Sequence, residues 1–188
     1  MSQVKISGNA SGTGVLTIAA PNTNTDRTLS LPDNTGSIIT TASTVTPKVP
    51  LLIAYKDDAQ QSIANQTFTK VTFNAEEIDT DGWFASSTYT PQQAGYYSVT
   101  PHIYFQFLQN QGAIVAVYKN GAIESRVQQV AIPNALHDVI VSGNCLIHCN
   151  GSTDYIEIYV WQSYGSSRNI YNGGRVFTNV EIFLARAD

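Results

Sequence analysis

Charged side chains are scarce in this sequence. Only 13% of its 188 residues are Asp, Glu, Lys or Arg, about half the usual share for a soluble domain. The net charge is −4, and the lysines and arginines form no run, so the chain lacks the clustered cations that phosphate contacts require. We therefore expect no nucleic-acid partner. A surface made of Asn, Gln, Ser, Thr and Tyr instead suits packing against other proteins or contact with sugars.

Long hydrophobic runs are also absent. No window approaches the roughly 18 apolar residues that a membrane-spanning helix needs. The first six residues, Met1–Ile6, lack the apolar region of a secretory signal. The expectation is a protein that is made in a cytosol, does not insert into membranes and stays soluble until it assembles.

Cysteine is nearly absent, with Cys145 and Cys149 as the two examples. If both lie on one strand, four residues at about 3.3 Å each place them roughly 13 Å apart. A disulfide requires Cα atoms about 4.4–6.8 Å apart. We expect both side chains to be small apolar core residues with free thiols, in a reducing compartment.

Motifs for catalysis or metal binding are missing as well. The three histidines, His102, His137 and His148, are not accompanied by the Gly-x-Ser-x-Gly turn of a serine nucleophile. Residues 145–149 hold two Cys and one His, but a zinc site needs four ligands, usually in two spaced pairs. The acidic residues 76–82 are not followed by the remainder of a calcium-binding loop, so they predict a solvated turn. We predict no catalytic residue, cofactor or metal, and a protein that is not an enzyme.

The first 47 residues contain no aromatic side chain. Turn-forming segments separate short apolar runs, which is typical of short strands. So few large side chains cannot bury enough surface for the segment to fold alone. It is either disordered or stabilised by copies of itself or by a partner surface, and the regular alternation of strands and turns favours the second. We predict that residues 1–47 form a β-rich attachment arm and that residues 48–188 form a separate head. The proposed attachment residues of the arm are Leu16, Ile18, Leu29, Leu31 and Ile38.

From Leu51 onward the chain alternates short aromatic-rich segments with turns. No segment shows a 3.6-residue period with helix caps. Asn120-Gly121 between two alternating segments is a strong hairpin signal. Repeated short strands at this spacing predict an all-β sandwich of about eight to ten strands. The predicted strands include Leu51–Tyr55, Thr67–Phe73, Ala113–Tyr118, Ile123–Val130, Val139–Cys149, Tyr155–Trp161 and Val176–Ala185.

The segment Tyr89–Phe105 is predicted to be the central strand, entered through a turn between Pro91 and Gly95. Its aromatic and β-branched residues point in both directions, because successive side chains of a strand alternate. A strand that is apolar on both faces is buried on both faces. We predict that one face forms the core and the other contacts another subunit, with Tyr96, Tyr104 and Phe105 as contact residues.

Residues 164–175 form a Gly-, Ser- and Asn-rich segment before the last strand. Tyr, Arg and Asn on such a frame are typical of adaptable recognition surfaces. A plain connection between the last two strands is the alternative, although the segment is longer than most hairpins need. The candidate recognition residues are Tyr164, Arg168, Asn169, Tyr171 and Arg175.

The order of features in the head resembles the jelly-roll heads of complement proteins and of the tumour-necrosis-factor superfamily. The similar features are an aromatic-ended strand at residues 89–91, Gly-Tyr-Tyr at residues 95–97, a hairpin at 117–121 and a strand–turn–strand unit at 146–156. The head also ends on a strand with Phe and aliphatic residues at 177–184. The resemblance implies a jelly-roll β-sandwich that forms a homotrimer.

The N-terminal segments at residues 12–21 and 27–36 resemble segments of tailed-bacteriophage fibres and related virion proteins. Together the two resemblances imply heads packed round a three-fold axis and arms that intertwine or lie on a virion surface. The leading hypothesis is a trimeric decoration (cement) protein on a phage capsid, made in the bacterial cytoplasm. It would bind the major capsid protein or a tail component, and would also adhere to a host surface glycan.

Two alternatives to a decoration protein remain open, and a third is disfavoured. The first is a short tail fibre or receptor-binding tip. The second is a glycan-processing enzyme, which would need a pair of facing carboxylates in a cleft. A secreted cytokine-like ligand is disfavoured by the lack of a signal peptide.

Overall fold

The computed structural model describes residues 11–14, 17, 24–26, 28, 48–108, 112–132 and 137–188. The chain divides into two compact units, Met1–Val45 and Thr46–Asp188. The five arm residues predicted for attachment lie outside the described residues. The second unit contains the predicted head.

The described part of the head consists of β-strands and one short 3₁₀ turn, Gly174–Val176. The strands are β1 (Leu51–Tyr55), β2 (Gln61–Ile63), β3 (Thr69–Lys70), β4 (Ala75–Asp79), β5 (Phe84–Ala85), β6 (Thr88–Tyr89), β7 (Ala94–Leu108), β8 (Gly112–Lys119), β9 (Ala122–Ala131), β10 (His137–Ser142), β11 (Cys145–Asn150), β12 (Ile156–Gln162), β13 (Arg168–Ile170) and β14 (Asn179–Ala187). The predicted all-β class is confirmed. The predicted strand number was too low, because several connections contain pairing segments of two or three residues.

The strands form two antiparallel sheets that stack as a jelly-roll sandwich. The large sheet has eight strands in the order β2-β13-β7-β14-β1-β4, with β10 and β11 also paired to β7. The small sheet has six strands in the order β5-β6-β12-β8-β9, with β3 paired to β12. In the large sheet, β10 and β11 follow one side of β7, while β13 and β14 follow the other. The prediction of a central strand at β7 is therefore confirmed.

The hydrophobic core lies between the two sheets. Its residues alternate along each strand, as the two-residue period of a strand requires. Each fully buried aliphatic side chain contributes roughly 1.5–3 kcal/mol relative to its exposed state. The central residues of β7, β8 and β12 in this core are Tyr97, Val99, Ile103, Phe105, Val115, Val117, Ile158 and Val160.

Gly95 is the first buried residue of β7, and only glycine fits at this position. Its φ is +150°, and a Cβ atom there would come within 2.3 Å of the backbone oxygen of Arg186. The pairing of β7 with β14 is irregular between Leu184 and Arg186, which is where β14 approaches Gly95. At Gly95, where a turn was predicted, the backbones of β7 and β14 are therefore in close contact.

The predicted strand Val139–Cys149 is two strands in the structure. β10 ends at Ser142 and β11 begins at Cys145, with Gly143 and Asn144 between them. The Asn144 side chain donates to Ser98 Oγ at 2.7 Å and to Thr100 Oγ1 at 2.8 Å. These bonds hold the break against β7, so one continuous strand is the wrong prediction.

Candidate interaction surfaces

The outer face of the large sheet, meaning the side that points away from the core, carries most of the exposed apolar side chains. Among the residues that the structure describes, eight large hydrophobic side chains are exposed, and five of them belong to strands of the large sheet. These five are Ile78, Tyr96, Ile140, Leu146 and Phe183. The small sheet contributes only Ile123 within the same described residues. Grouped exposed apolar side chains mark interaction surfaces in soluble proteins.

The strand register aligns these side chains in rows. Leu146 on β11 and Phe183 on β14 both lie opposite Ser98 on β7, and Leu51 on β1 lies opposite Phe183. Directly opposed residues in antiparallel strands point to the same face. One apolar row therefore crosses four strands, interrupted only by the small side chain of Ser98.

A second row lies next to it, at the end of the sheet where the chain terminates. Tyr96 is opposite His148 on β11 and Arg186 on β14. The Tyr96 and His148 rings are 5.0 Å apart, and His148 Nε2 lies 2.9 Å from Asp188 Oδ2. Tyr96 therefore adds an aromatic side chain to the outer face, with polar groups beside it.

Tyr104 lies on the same face near the other end of β7. It pairs with Ile140 on β10, and its ring contacts Tyr171 at 5.7 Å and Phe177 at 5.2 Å. Its hydroxyl donates to Asp138 Oδ2 at 3.1 Å, and this hydrogen bond raises the pKa of Tyr104. These contacts fix the Tyr104 ring on the outer face.

Phe105 was predicted to contact another subunit, and the structure contradicts this. Its side chain is 0% exposed and belongs to the hydrophobic core. Neighbouring residues of a strand point to opposite faces, so Tyr104 and Phe105 cannot share one surface.

The prediction that β7 is apolar on both faces is also wrong. Its outward positions between the two tyrosines are Ser98, Thr100 and His102, which are polar. The exposed apolar residues come mainly from other strands of the large sheet: β4, β10, β11 and β14.

A polar cavity of about 340 Å³ occupies the middle of the outer face. Arg175 stands at its edge, with Nη1 paired to Glu77 and Nη2 to Glu181 Oε1 at 3.1 Å. The two carboxylates raise the pKa of Arg175. The lining side chains are Thr100, His102, Ser142, Arg175, Val176, Asn179 and Glu181. The outer face thus combines a polar cavity with apolar residues around it, whereas a typical interface has an apolar core and a polar rim.

The five candidate recognition residues of segment 164–175 do not form one loop. The segment contains β13, in which Ile170 is buried opposite Phe105. Tyr171 and Arg175 lie after β13 and join the outer face through Tyr104 and Glu181.

Of the remaining three residues, Arg168 and Asn169 begin β13 and Tyr164 lies four residues before it. The Arg168 guanidinium carbon is 3.5 Å from the Tyr164 ring centroid, and Asn169 Nδ2 donates to Gln60 Oε1 at 2.9 Å. Arg168 and Asn169 also line a second cavity, of about 290 Å³, with Gln60, Gln106 and Ser167. The segment is therefore neither one continuous loop nor a plain connection, because it contains strand β13. Ligand recognition by its residues stays a prediction.

Sequence reasoning missed the exposed apolar residues Phe183, Leu146, Ile140 and Ile78. A signal was present for Phe183, since Val180, Ile182 and Leu184 alternate with Glu181 and Phe183. When the aliphatic positions face the core, the phenylalanine must face outward.

The described residues offer little support for reaction chemistry. They contain no group of three or more His, Cys, Asp or Glu side chains that could hold a metal ion. Burial raises the pKa of the Cys149 thiol to about 11, so the thiol is protonated at neutral pH and is a poor nucleophile. No helix among these residues has the length and apolarity to cross a membrane.

Comparison with known proteins identifies the fold. No protein-family model and no curated protein matches the chain. The globular domain of zebrafish complement 1qA protein matches with 14% identity and a TM-score of 0.52, over 75% of this chain and 100% of that chain. Eiger TNF from S. frugiperda matches with 9% identity and a TM-score of 0.53, over 74% and 94%. Murine APRIL at pH 5.0 matches with 12% identity and a TM-score of 0.51, over 73% and 99%.

These identities are low, so the likeness concerns architecture and not activity. The fold implied by the sequence resemblance is confirmed: the head has the jelly-roll architecture of complement globular domains and tumour-necrosis-factor-type structures.

Proposed function

We propose that the protein is a structural virion protein of a tailed bacteriophage, a homotrimeric decoration protein on the outer capsid shell. Its head assembles through the outer face of the large sheet. Residues 1–47 attach the trimer to the major capsid protein. The protein is made in the bacterial cytoplasm, ends on the virion surface and performs no catalysis.

The outer face of the large sheet is the observation that carries this proposal. Its exposed side chains include Leu146 at 60% and Phe183 at 42%, which lie on the two strands that flank β7. Apolar surface of this kind is stabilised when a partner removes it from water. A second copy of the chain is the partner favoured by the resemblance of the head to trimeric jelly rolls, and the number three comes from that resemblance.

Attachment to a capsid is supported by the sequence of the arm. The segments at residues 12–21 and 27–36 resemble those of phage virion proteins, and the arm has too few large side chains to fold alone. A short attachment segment joined to a self-assembling head suits a protein that binds to a shell.

A short tail fibre or receptor-binding tip is the second candidate. The cavity beside β13 favours it, because a polar cavity outside the apolar rows is available for a host ligand. A glycan-processing enzyme ranks below both. It would need two facing carboxylates in a cleft, whereas Glu77 and Glu181 are both paired to Arg175.

Imaging and protein quantification of purified particles test the proposal. We expect trimeric density on the capsid and a copy number comparable to that of the major capsid protein. Density at the tail with a far lower copy number would assign the fibre function instead. Absence from particles would overturn both virion functions. Sedimentation of the purified chain tests the trimer separately, and a stable monomer at micromolar concentration would exclude it.

A further inference from the structure

A cavity of about 290 Å³ lies at the edge of the large sheet, next to β13. Among the described residues its lining contains no aliphatic side chain: it is formed by Gln60, Gln106, Ser167, Arg168 and Asn169. We call it the amide cavity. Most small-molecule pockets are lined mainly by apolar side chains, with few polar groups. A cavity with such a polar lining therefore suits a ligand that is itself covered with hydrogen-bonding groups.

The strand register builds the amide cavity from distant parts of the chain. β13 pairs with β2 along three residues and meets β7 where Ile170 lies opposite Phe105. Asn169, one position earlier on β13, is thereby placed beside Gln106 of β7. Its Nδ2 donates to Gln60 Oε1 at 2.9 Å, which orients two of the amide groups.

Much of the hydrogen-bonding capacity around the cavity is unused. Within the described residues, the side chains of Gln106 and Ser167 make no hydrogen bond to the protein. The Arg168 Nε atom is buried and has no hydrogen-bond partner in this part of the chain, while the guanidinium group is held against the Tyr164 ring. The Arg168 Nε atom is withdrawn from water without a partner, which costs free energy, whereas Gln106 is partly exposed and Ser167 is exposed. A ligand bonds to the last two side chains by replacing water.

The size of the cavity limits the ligand. At about 30 Å³ for each water molecule, the cavity volume corresponds to about ten waters. This volume accommodates one sugar ring with its hydroxyl groups. Primary amides and sugar hydroxyls match, because each can donate and accept hydrogen bonds.

We propose that the amide cavity binds one terminal pyranose residue of a glycan. Gln60, Gln106 and Asn169 bond to the sugar hydroxyls. Arg168 is the charged residue of the described lining, so a sugar carboxylate is accepted as well as a neutral ring. The choice of a glycan rests on the adhesion part of the proposed function, whereas the site itself is formed within one chain.

The amide cavity is separate from the apolar row of the outer face. Along β7, Gln106 is eight residues from Ser98, which is about 26 Å at 3.3 Å per residue. Gln106 points to the outer face, as Ser98 and Tyr104 do, because these positions are separated by even numbers of residues along β7. A sugar therefore binds on the outer face, at the far end of β7 from the apolar row.

Saturation-transfer NMR on the full chain tests the site. The probes are the methyl glycosides of glucose and galactose as neutral rings, and glucuronate and N-acetylneuraminate as acidic rings, each at millimolar concentration and equal ionic strength. We expect transfer to at least one of these sugars. Gln106→Ala and Asn169→Ala should each weaken binding about tenfold, as expected for losing one hydrogen bond in a site.

Matched substitutions on the small sheet serve as controls. Gln129→Ala removes an exposed amide from β9, and Arg126→Gln removes a guanidinium that also lies over an aromatic ring, that of Phe68. Both should bind the sugar as the unmodified protein does, whereas Arg168→Gln should lose any preference for acidic sugars. Lack of transfer to all four sugars, or equal transfer in the Gln106 and Asn169 variants, would overturn the site.

Sedimentation of the same samples separates the site from the proposed assembly. A monomer that binds the sugar supports the site and contradicts the trimer. A trimer that does not bind the sugar supports the assembly and contradicts the site.

Discussion

Phe183 on β14 lies directly opposite Ser98 on β7, on the face of the large sheet that points away from the core. Ser98 is 7% exposed, and its hydroxyl accepts a hydrogen bond from Asn144 at 2.7 Å. The small serine covers little of its neighbour, so 42% of Phe183 remains exposed. Because Phe183 is exposed in this way, substituting it is the most direct test of assembly through the outer face.

Phe183→Asp should reduce self-association while the head stays folded. The substitution places a charge where an apolar contact between subunits is expected, and burying an unpaired charge is costly. Sedimentation velocity should show loss of the trimer, and circular dichroism should show an unchanged β-sheet spectrum.

Ile123→Asp is the matched control for this experiment. Ile123 is also 42% exposed but belongs to β9 of the small sheet. It should leave the assembly state unchanged. If both variants dissociate equally, or neither does, the outer face of the large sheet is not the specific interface.

Phe105→Ala should destabilise the head by about 3–5 kcal/mol, because it removes a fully buried ring from the core. Tyr104→Ala should cost clearly less, since Tyr104 faces outward and is only partly buried. Urea unfolding of the two variants under conditions where both are monomeric measures the difference. Equal losses of unfolding free energy would show that the Phe105 ring does not lie in the core.

Gly95→Ala should be strongly destabilising, by more than about 2 kcal/mol, because the strained backbone region is combined with a close contact. The added Cβ would lie 2.3 Å from the Arg186 oxygen, which is a backbone atom and cannot move aside cheaply. Gly82 also has a positive φ, of +70°, but a Cβ atom added there would meet no atom within 4 Å. Gly82→Ala should therefore cost only about 1–2 kcal/mol. Thermal and urea unfolding measure the loss of unfolding free energy in the two variants. Similar losses would contradict the close approach of β14 to Gly95.

Alkaline pH should destabilise the head partly through Cys149. Burial raises the pKa of its thiol from 9.0 to about 11, so the folded state holds the proton more tightly than the unfolded state. The resulting stability is complete below pH 9 and is lost as the pH rises from 9 through about 11. Two pKa units correspond to about 2–3 kcal/mol.

The Cys149→Ala variant isolates this effect. Between about pH 8 and pH 11 the unmodified protein should lose about 2–3 kcal/mol more unfolding free energy than the variant. The Cys145 thiol, whose pKa is also raised by burial and has no contribution from Cys149, affects both proteins and cancels in the difference. Parallel losses in the two proteins would mean that burial does not keep the Cys149 thiol protonated.

The sequence by itself determined the fold class and the central strand. The two-residue alternation in the head, and the Asn120-Gly121 hairpin between β8 and β9, depend on local backbone geometry. Such features are readable from neighbouring residues. The same alternation already implied that Tyr104 and Phe105 face opposite sides.

Tertiary structure decided which face is exposed and which residues meet. The apolar row of Leu146, Ser98 and Phe183 joins three strands that are far apart in the chain, and its members become neighbours only through the register of β11 and β14 on β7. The amide cavity likewise brings Gln60 and Gln106 to β13. Long-range register depends on core packing and not on local propensity. For this reason a segment that resembled a loop in the sequence contains a paired strand, with Ile170 buried, in the fold.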